Sequence, residues 1–235
     1  VGPLMVGALT VAVCMLMGLD RWLTLLAYGL CAFAASVTLW EMFGPALQRA
    51  KRRRESILLA LAGTVSGSRR RFGGYMVHMA VIAIVVAIAS SKTYKQSAEA
   101  SLLPGESFEI GDYAFTYEKT EARQESNRFT VRVILNGFHR GYSIGVYEPG
   151  LNYYPSQREP IGTPFVRTVG STDVYLSMMS FEDQDKRVVI KAYLLPMVPW
   201  IWWSLPIIAL GSMFSLWPRR RRKDRAVPAE ALGTS

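Results

Sequence analysis

The stretch Phe72-Gly-Gly-Tyr-Met-Val-His-Met-Ala-Val-Ile-Ala-Ile-Val-Val-Ala-Ile-Ala-Ser-Ser91 decides the fold. It runs for 20 residues without a formal charge, with His78 as its one basic side chain. A bilayer hydrocarbon core of about 30 Å is crossed by roughly 20 helical residues, so the stretch reads as a transmembrane span. Three more uncharged runs flank it: Val1 to Leu19 (19 residues), Trp22 to Trp40 (19) and Ala192 to Pro218 (27). Four such runs in 235 residues leave too little polar surface for a soluble core of buried helices. Half of the chain is apolar and 19% is charged, and the mean hydropathy is +0.16. That balance excludes a disordered chain. The chain opens at Val1 inside an apolar run, without an initiator methionine, and so reads as part of something longer.

Charge placement gives an orientation. Eight Lys/Arg lie between Trp40 and Phe72, and six follow Pro218. Basic flanks stay on the cytoplasmic side. Residues 92–191 carry 12 Lys/Arg against 13 Asp/Glu and lie between the last two spans, so they fall outside. The net charge of +9 is then a topology signal and gives no reason to invoke nucleic acid. The run Lys51 to Arg54 reads as a patch facing lipid headgroups. Between Met42 and Val65, Ile57, Leu58, Leu61 and Val65 recur at helical spacing, the pattern of an amphipathic helix on the inner membrane face.

The outside segment reads as sheet. Tyr113 to Tyr117, Phe129 to Val133, Thr172 to Leu176 and Arg187 to Lys191 alternate or are rich in β-formers. Pro104-Gly105, Gly111-Asp112, Asn136-Gly137 and Pro149-Gly150 mark turns, with Asn136-Gly137 as a hairpin signal. A small antiparallel barrel or sandwich follows. The expected organisation is a polytopic α-helical membrane protein with an extracytoplasmic all-β domain, about four transmembrane helices and one interfacial amphipathic helix. By residue number this gives two spans in 1–41, a cytoplasmic basic segment in 42–71 and a span carrying His78 in 72–91. A periplasmic β domain in 92–191, a last span in 192–218 and a cytoplasmic basic tail in 219–235 complete it.

Few residues are candidates for chemistry. Two cysteines exclude a disulfide framework, and two histidines exclude a multi-histidine zinc site within this chain. His139 follows the expected hairpin turn and reads as an exposed surface histidine. Asp183 and Asp185 sit in a polar loop as solvated turn residues. No nucleophile–base constellation is present in the β segment, so no catalytic residue is assigned. His78 is different, because an ionisable side chain at membrane depth is costly and usually serves function. Gly74 and Ile82 lie one turn before and after it on the same helical face. Helical side chains lean toward the N-terminus, so the imidazole leans over the bare Gly74, with Val81, Ile82 and Val85 as an apolar wall beyond it. Three readings are open on this pattern: helix packing, an axial ligand for haem iron, and a proton path.

The run Arg69-Arg-Arg-Phe-Gly-Gly-Tyr-Met-Val-His78 resembles the CcmF/NrfE family of cytochrome c-type biogenesis haem lyases. Pro104-Gly-Glu-Ser107, Pro155-Ser-Gln-Arg158, Asp173-Val-Tyr-Leu176 and Pro196-Met-Val-Pro-Trp-Ile-Trp202 with Gly211 and Arg219 to Arg222 resemble that family's later segments in order. The resemblance covers nearly the whole chain as the family's C-terminal part. It implies a multi-pass protein of the bacterial inner membrane, with both ends cytoplasmic and the β domain periplasmic. The implied function is attachment of haem, received from a haem chaperone, to the Cys-x-x-Cys-His motif of apocytochrome c alongside other maturation membrane proteins. It implies a transmembrane haem b with His78 as one axial ligand, and quinol as an electron source. The family's tryptophan-rich motif, its two periplasmic histidines and its first transmembrane histidine have no match here. Phe72 stands where tyrosine is common, and Ser204 where glycine is usual. The chain alone is therefore expected to be inactive and to hold haem weakly. Trp200, Trp202 and Trp203 read as an interfacial belt, and Pro199 and Pro206 as bends. The competing functional class is a membrane-anchored assembly or interaction protein that acts through its β domain without haem.

Overall fold

A computed structural model describes residues 1–217. Five helices and ten strands follow one another as α1 (Gly2–Leu16), α2 (Trp22–Arg53), α3 (Ile57–Gly67), α4 (Arg69–Thr93), then β1 (Gln96–Leu102), β2 (Ser107–Ile110), β3 (Tyr113–Gln124), β4 (Phe129–His139), β5 (Tyr142–Tyr147), β6 (Gly150–Tyr153), β7 (Ile161–Thr163), β8 (Phe165–Val169), β9 (Thr172–Glu182), β10 (Arg187–Pro196) and finally α5 (Val198–Leu216). The basic tail expected over 219–235 lies outside the described residues.

Three of the helices, α2, α4 and α5, are long and apolar enough to cross a membrane. The first of the four expected spans, Val1 to Leu19, holds a shorter apolar helix, α1. The helix within the first run has 15 residues, about 22 Å at 1.5 Å per residue, which falls short of the hydrocarbon thickness. Gly18 at φ 86° ends it early. The helices stack antiparallel in chain order. Gly7 of α1 meets Gly29 of α2. At the opposite end of α2 from its basic exit, Thr24 and Tyr28 share hydroxyl hydrogen bonds with Thr93 (2.8 Å) and Ser90 (2.7 Å) of α4.

The single amphipathic helix expected between Met42 and Val65 is also corrected. α2 continues through Pro45 to Arg53. There Arg54 adopts a left-handed conformation, φ 52°, and the chain turns back, with Glu55 paired to Arg49. Only then does α3 begin, capped by the Ser56 hydroxyl. Its sequence, Ile57-Leu-Leu-Ala-Leu-Ala-Gly-Thr-Val-Ser-Gly67, has no charged face.

The β domain consists of two antiparallel sheets. One runs β1-β10-β9-β8; the other runs β2-β3-β4-β6-β7, with β5 on the remaining stretch of β4. The period-2 pattern puts alternate residues inside: Val188, Ile190, Ala192 and Leu194 of β10 are buried, and Tyr113, Phe115 and Tyr117 face them from β3. All four strands expected from the sequence are present. The Gly111-Asp112 turn also forms, joining β2 to β3 with Gly111 at φ 55°. Asn136-Gly137 does not turn. β4 runs straight through it, and the hairpin closes one turn later, at Arg140 and Gly141, both at positive φ. Gly137 is needed for packing instead: a Cβ there would lie 2.6 Å from the Tyr147 ring. The domain also begins and ends later than expected, because β10 reaches Pro196, five residues into the run assigned to the last span.

Candidate functional site: the exposed face of helix α4

Helix α4 divides its surface between neighbours. Gly73 takes α5: a methyl group there would fall on the Gly211 carbonyl oxygen and within 2.7 Å of the Ser215 nitrogen. In return, a Cβ at Gly211 would lie 2.8 Å from the Gly73 carbonyl oxygen and 3.0 Å from Met76 Cβ. Ala80 and Ala87 are buried on the covered side, while Ser90 and Thr93 bond to α2. His78 points the other way and is exposed. Gly74, one turn before it, has nothing within 4 Å of where a Cβ would stand. Adjacent glycines thus have opposite surroundings, one jammed against a helix and the other open.

Beside His78 the same face becomes a groove. Val81, Ile82 and Val85 form one wall, and Leu30, Cys31 and Ala34 of α2 belong to the other. The groove is open, apolar and about 440 Å³ in volume. The clearance over Gly74 and the wall at Ile82 are as the sequence implies. The apolar enclosure of the imidazole is not supplied by the described residues, because α2 and α5 occupy the other sides of α4. No hydrogen-bond partner reaches His78 among the described residues. The helix-packing task falls to Gly73, one residue from where the sequence pattern places it.

A flat macrocycle bound through an imidazole needs three things from its helix: an accessible ring nitrogen, a bare patch beside it and apolar contact along its edge. His78, Gly74 and the Ile82 groove meet all three. Among the described residues no group of three or more His, Cys, Asp or Glu could hold a bare metal ion.

The other candidates separate clearly. His139 is not the exposed surface histidine expected from the sequence. It ends β4 before the turn, is half-buried, and stacks on Tyr113 with ring centroids 4.4 Å apart. It lines a groove at the base of the β domain together with Tyr94 and Pro196, far along the chain from His78 and at the end where the helices join the sheets. Asp185 sits in the turn before β10 and pairs with Arg187 at 3.0 Å, a solvated turn residue as expected. Trp200, Trp202 and Trp203 are exposed on the first turns of α5, next to the β domain. Pro199 lies in the first turn, where no intrahelical hydrogen bond is lost, so it makes no bend. Pro206 is inside the helix.

No family model matches the chain. It is 24% identical over 168 residues to the probable cytochrome c-type biogenesis protein NrfE of Escherichia coli (strain K12), covering 72% of this chain and 30% of that protein. It is 23% identical over 238 aligned residues to the cytochrome c-type biogenesis protein CcmF of Pseudomonas fluorescens, covering 98% of this chain and 34% of that protein. The solved structure of a cytochrome c heme lyase CcmF superposes with a TM-score of 0.68 at 25% identity, over 92% of this chain and 34% of that one. The chain spans about a third of the length of these relatives. The match in fold runs through both the helices and the β domain, and together with the sequence matches it supports a fragment of the CcmF/NrfE family.

Proposed function

We propose that this chain serves in cytochrome c maturation, with His78 as an axial ligand of a haem b held in the membrane. The observation that carries the reading is the pairing of an exposed imidazole with the vacant space over Gly74. Haem in such a position supplies a one-electron couple inside the bilayer. The residues of this chain bind and orient it: His78 presents a ring nitrogen, Gly74 leaves the approach clear, and Val81, Ile82 and Val85 exclude water along one edge. The pairing also speaks against helix packing among the described residues, since a Cβ at Gly74 would meet nothing within 4 Å and His78 is exposed.

The topology belongs to the same proposal. α2 leaves at Lys51 to Arg54 and α4 enters at Arg69 to Arg71, both at the end away from the β domain. Basic residues at that end favour the cytoplasm, and the proposed location of the β domain is the periplasm, with the helices in a bacterial inner membrane. There it is positioned to meet a haem chaperone and apocytochrome c, next to other maturation membrane proteins. Trp200, Trp202 and Trp203 would sit at the outer interface, and quinol in the bilayer is the proposed electron source. Haem lyase activity is proposed for a protein of the length of these relatives, of which this chain matches about a third, with this chain contributing half of the axial ligation.

The test is a reduced-minus-oxidised spectrum of the protein purified in detergent with haem added. With one axial ligand the wild type is expected to show a weak b-type signal that appears only with haem in excess, and this signal is lost in His78→Ala and in Gly74→Leu, with circular dichroism unchanged. Full retention of the signal in folded His78→Ala would overturn the assignment.

A further inference from the structure

The cytoplasmic ends of α4 and α5 form a second concavity, of about 440 Å³, that the haem reading does not use. Its floor and walls come from Arg69, Arg70 and Arg71 with the hydroxyls of Ser66, Ser68 and Ser215. None of the three arginines has an ion-pair partner among the described residues. No acidic side chain lines the cup among the described residues. No side chain caps the start of α4, whose first three residues line the cup, so the helix N-terminus adds partial positive charge there. The cup is fixed in shape, because the Ser215 hydroxyl donates to the Arg70 carbonyl oxygen at 3.2 Å and ties α5 to α4.

What lies beneath the cup identifies the occupant. Trp217 lines it, and Met213, Leu216 and Trp217 are exposed down the adjoining flank of α5. A soluble phosphate compound would use the arginines and leave that flank bare. A phospholipid uses both: its phosphodiester enters the cup and its acyl chains lie on the flank. Guanidinium groups suit phosphate through bidentate bonds. We infer that this cup is a binding site for the headgroup of an anionic phospholipid, of the phosphatidylglycerol class. The inference rests on α4 and α5 being membrane-embedded, and it holds whichever leaflet the cup faces. The haem reading can fail without it, and it can fail without the haem reading.

The full 235-residue chain in detergent is incubated with phosphatidylglycerol or with phosphatidylcholine of the same acyl chains, and bound lipid is counted by native mass spectrometry. We expect phosphatidylglycerol to be retained about tenfold more strongly. The triple variant Arg69→Gln, Arg70→Gln, Arg71→Gln should lose at least fivefold of that preference. The control Arg123→Gln, Arg132→Gln, Arg158→Gln, three exposed β-domain arginines, should keep it. Equal retention of the two lipids, or equal loss in both triple variants, overturns the site. Displacement of the lipid by millimolar pyrophosphate also overturns it, in favour of a soluble phosphate ligand. A photoactivatable phosphatidylglycerol on the wild type removes any dependence on how the variants fold. Adducts on residues 66–71 or 215–217 support the site, and adducts confined elsewhere refute it.

Discussion

Gly73 and Gly74 are neighbours in sequence, and their substitution by alanine should have opposite consequences. Both changes remove a glycine from a helix interior, and each gains the same intrinsic propensity, roughly 1 kcal/mol. That gain cancels when the two variants are compared. What remains is the collision at Gly73, where the new methyl would strike the Gly211 carbonyl oxygen and approach the Ser215 nitrogen to 2.7 Å and its Cβ to 2.8 Å. Two of the three obstacles are backbone, so rotating a side chain does not relieve them. The helices must move apart, and overpacking of this kind typically costs about 1–3 kcal/mol. Gly73→Ala should therefore be less stable than Gly74→Ala by about 1–3 kcal/mol. The assay is unfolding in mixed micelles, followed by the fluorescence of the α5 tryptophans. Equal stabilities, or a more stable Gly73→Ala, would refute the proposed helix contact. Gly74→Ala carries a second readout: a small Cβ in open space should leave haem retention near wild type, whereas the leucine described above should abolish it.

Other outcomes follow from the β domain and the helix interface. Burial pushes the Tyr147 phenol up to about 12, with the Arg167 guanidinium partly opposing it. Because the folded value lies above the ordinary one, the fold holds this proton when the unfolded chain has released it. Stability is then complete below about pH 10 and falls as the pH rises toward 12. Tyr147→Phe should remove about 1 kcal/mol of the loss seen at pH 11, measured by urea unfolding at several pH values; an unchanged alkaline slope would count against this assignment. At neutral pH the same substitution should be neutral or stabilising, since the hydroxyl is buried without a hydrogen-bond partner among the described residues. Leu176→Ala, at a fully buried position between the sheets, should destabilise the domain by about 2–5 kcal/mol in chemical denaturation. Asp112→Asn should change thermal stability by less than about 1 kcal/mol, because its pair with Arg140 is exposed on both sides.

The strands were legible because one face of each sheet is buried, which prints alternation directly onto the sequence; β10 is the clearest case. The helix ends were harder to read. Hydropathy marks where a chain is apolar, and β10 is apolar too, so the boundary between sheet and last span was placed too early. Arg54 shows a second reason: a left-handed residue that breaks a helix is usually glycine or asparagine, and an arginine carries no such signal. The turn at Asn136-Gly137 failed because glycine has two uses, reversal of the chain and clearance for a neighbour, and only the position of Tyr147 decides between them. At the site, His78 and the clearance over Gly74 were readable from helical geometry. The α2 wall of the groove was not, since periodicity within one helix says nothing about which other helix stands beside it. The contact of Gly73 with α5 had a faint signature in Gly211-Ser-Met-Phe-Ser215, a small residue repeated after four positions.

The junctions between helices and sheet have a mechanical meaning. Only Tyr94 and Lys95 separate α4 from β1, and only Met197 separates β10 from α5. β1 and β10 are themselves hydrogen-bonded neighbours, in register from Gln96 opposite Leu194. The two struts that enter the bilayer are thus welded to one edge of a stiff ribbon, with no swivel between them. Any tilt imposed on α4 must swing the β domain as a lever rather than dissipate in a hinge.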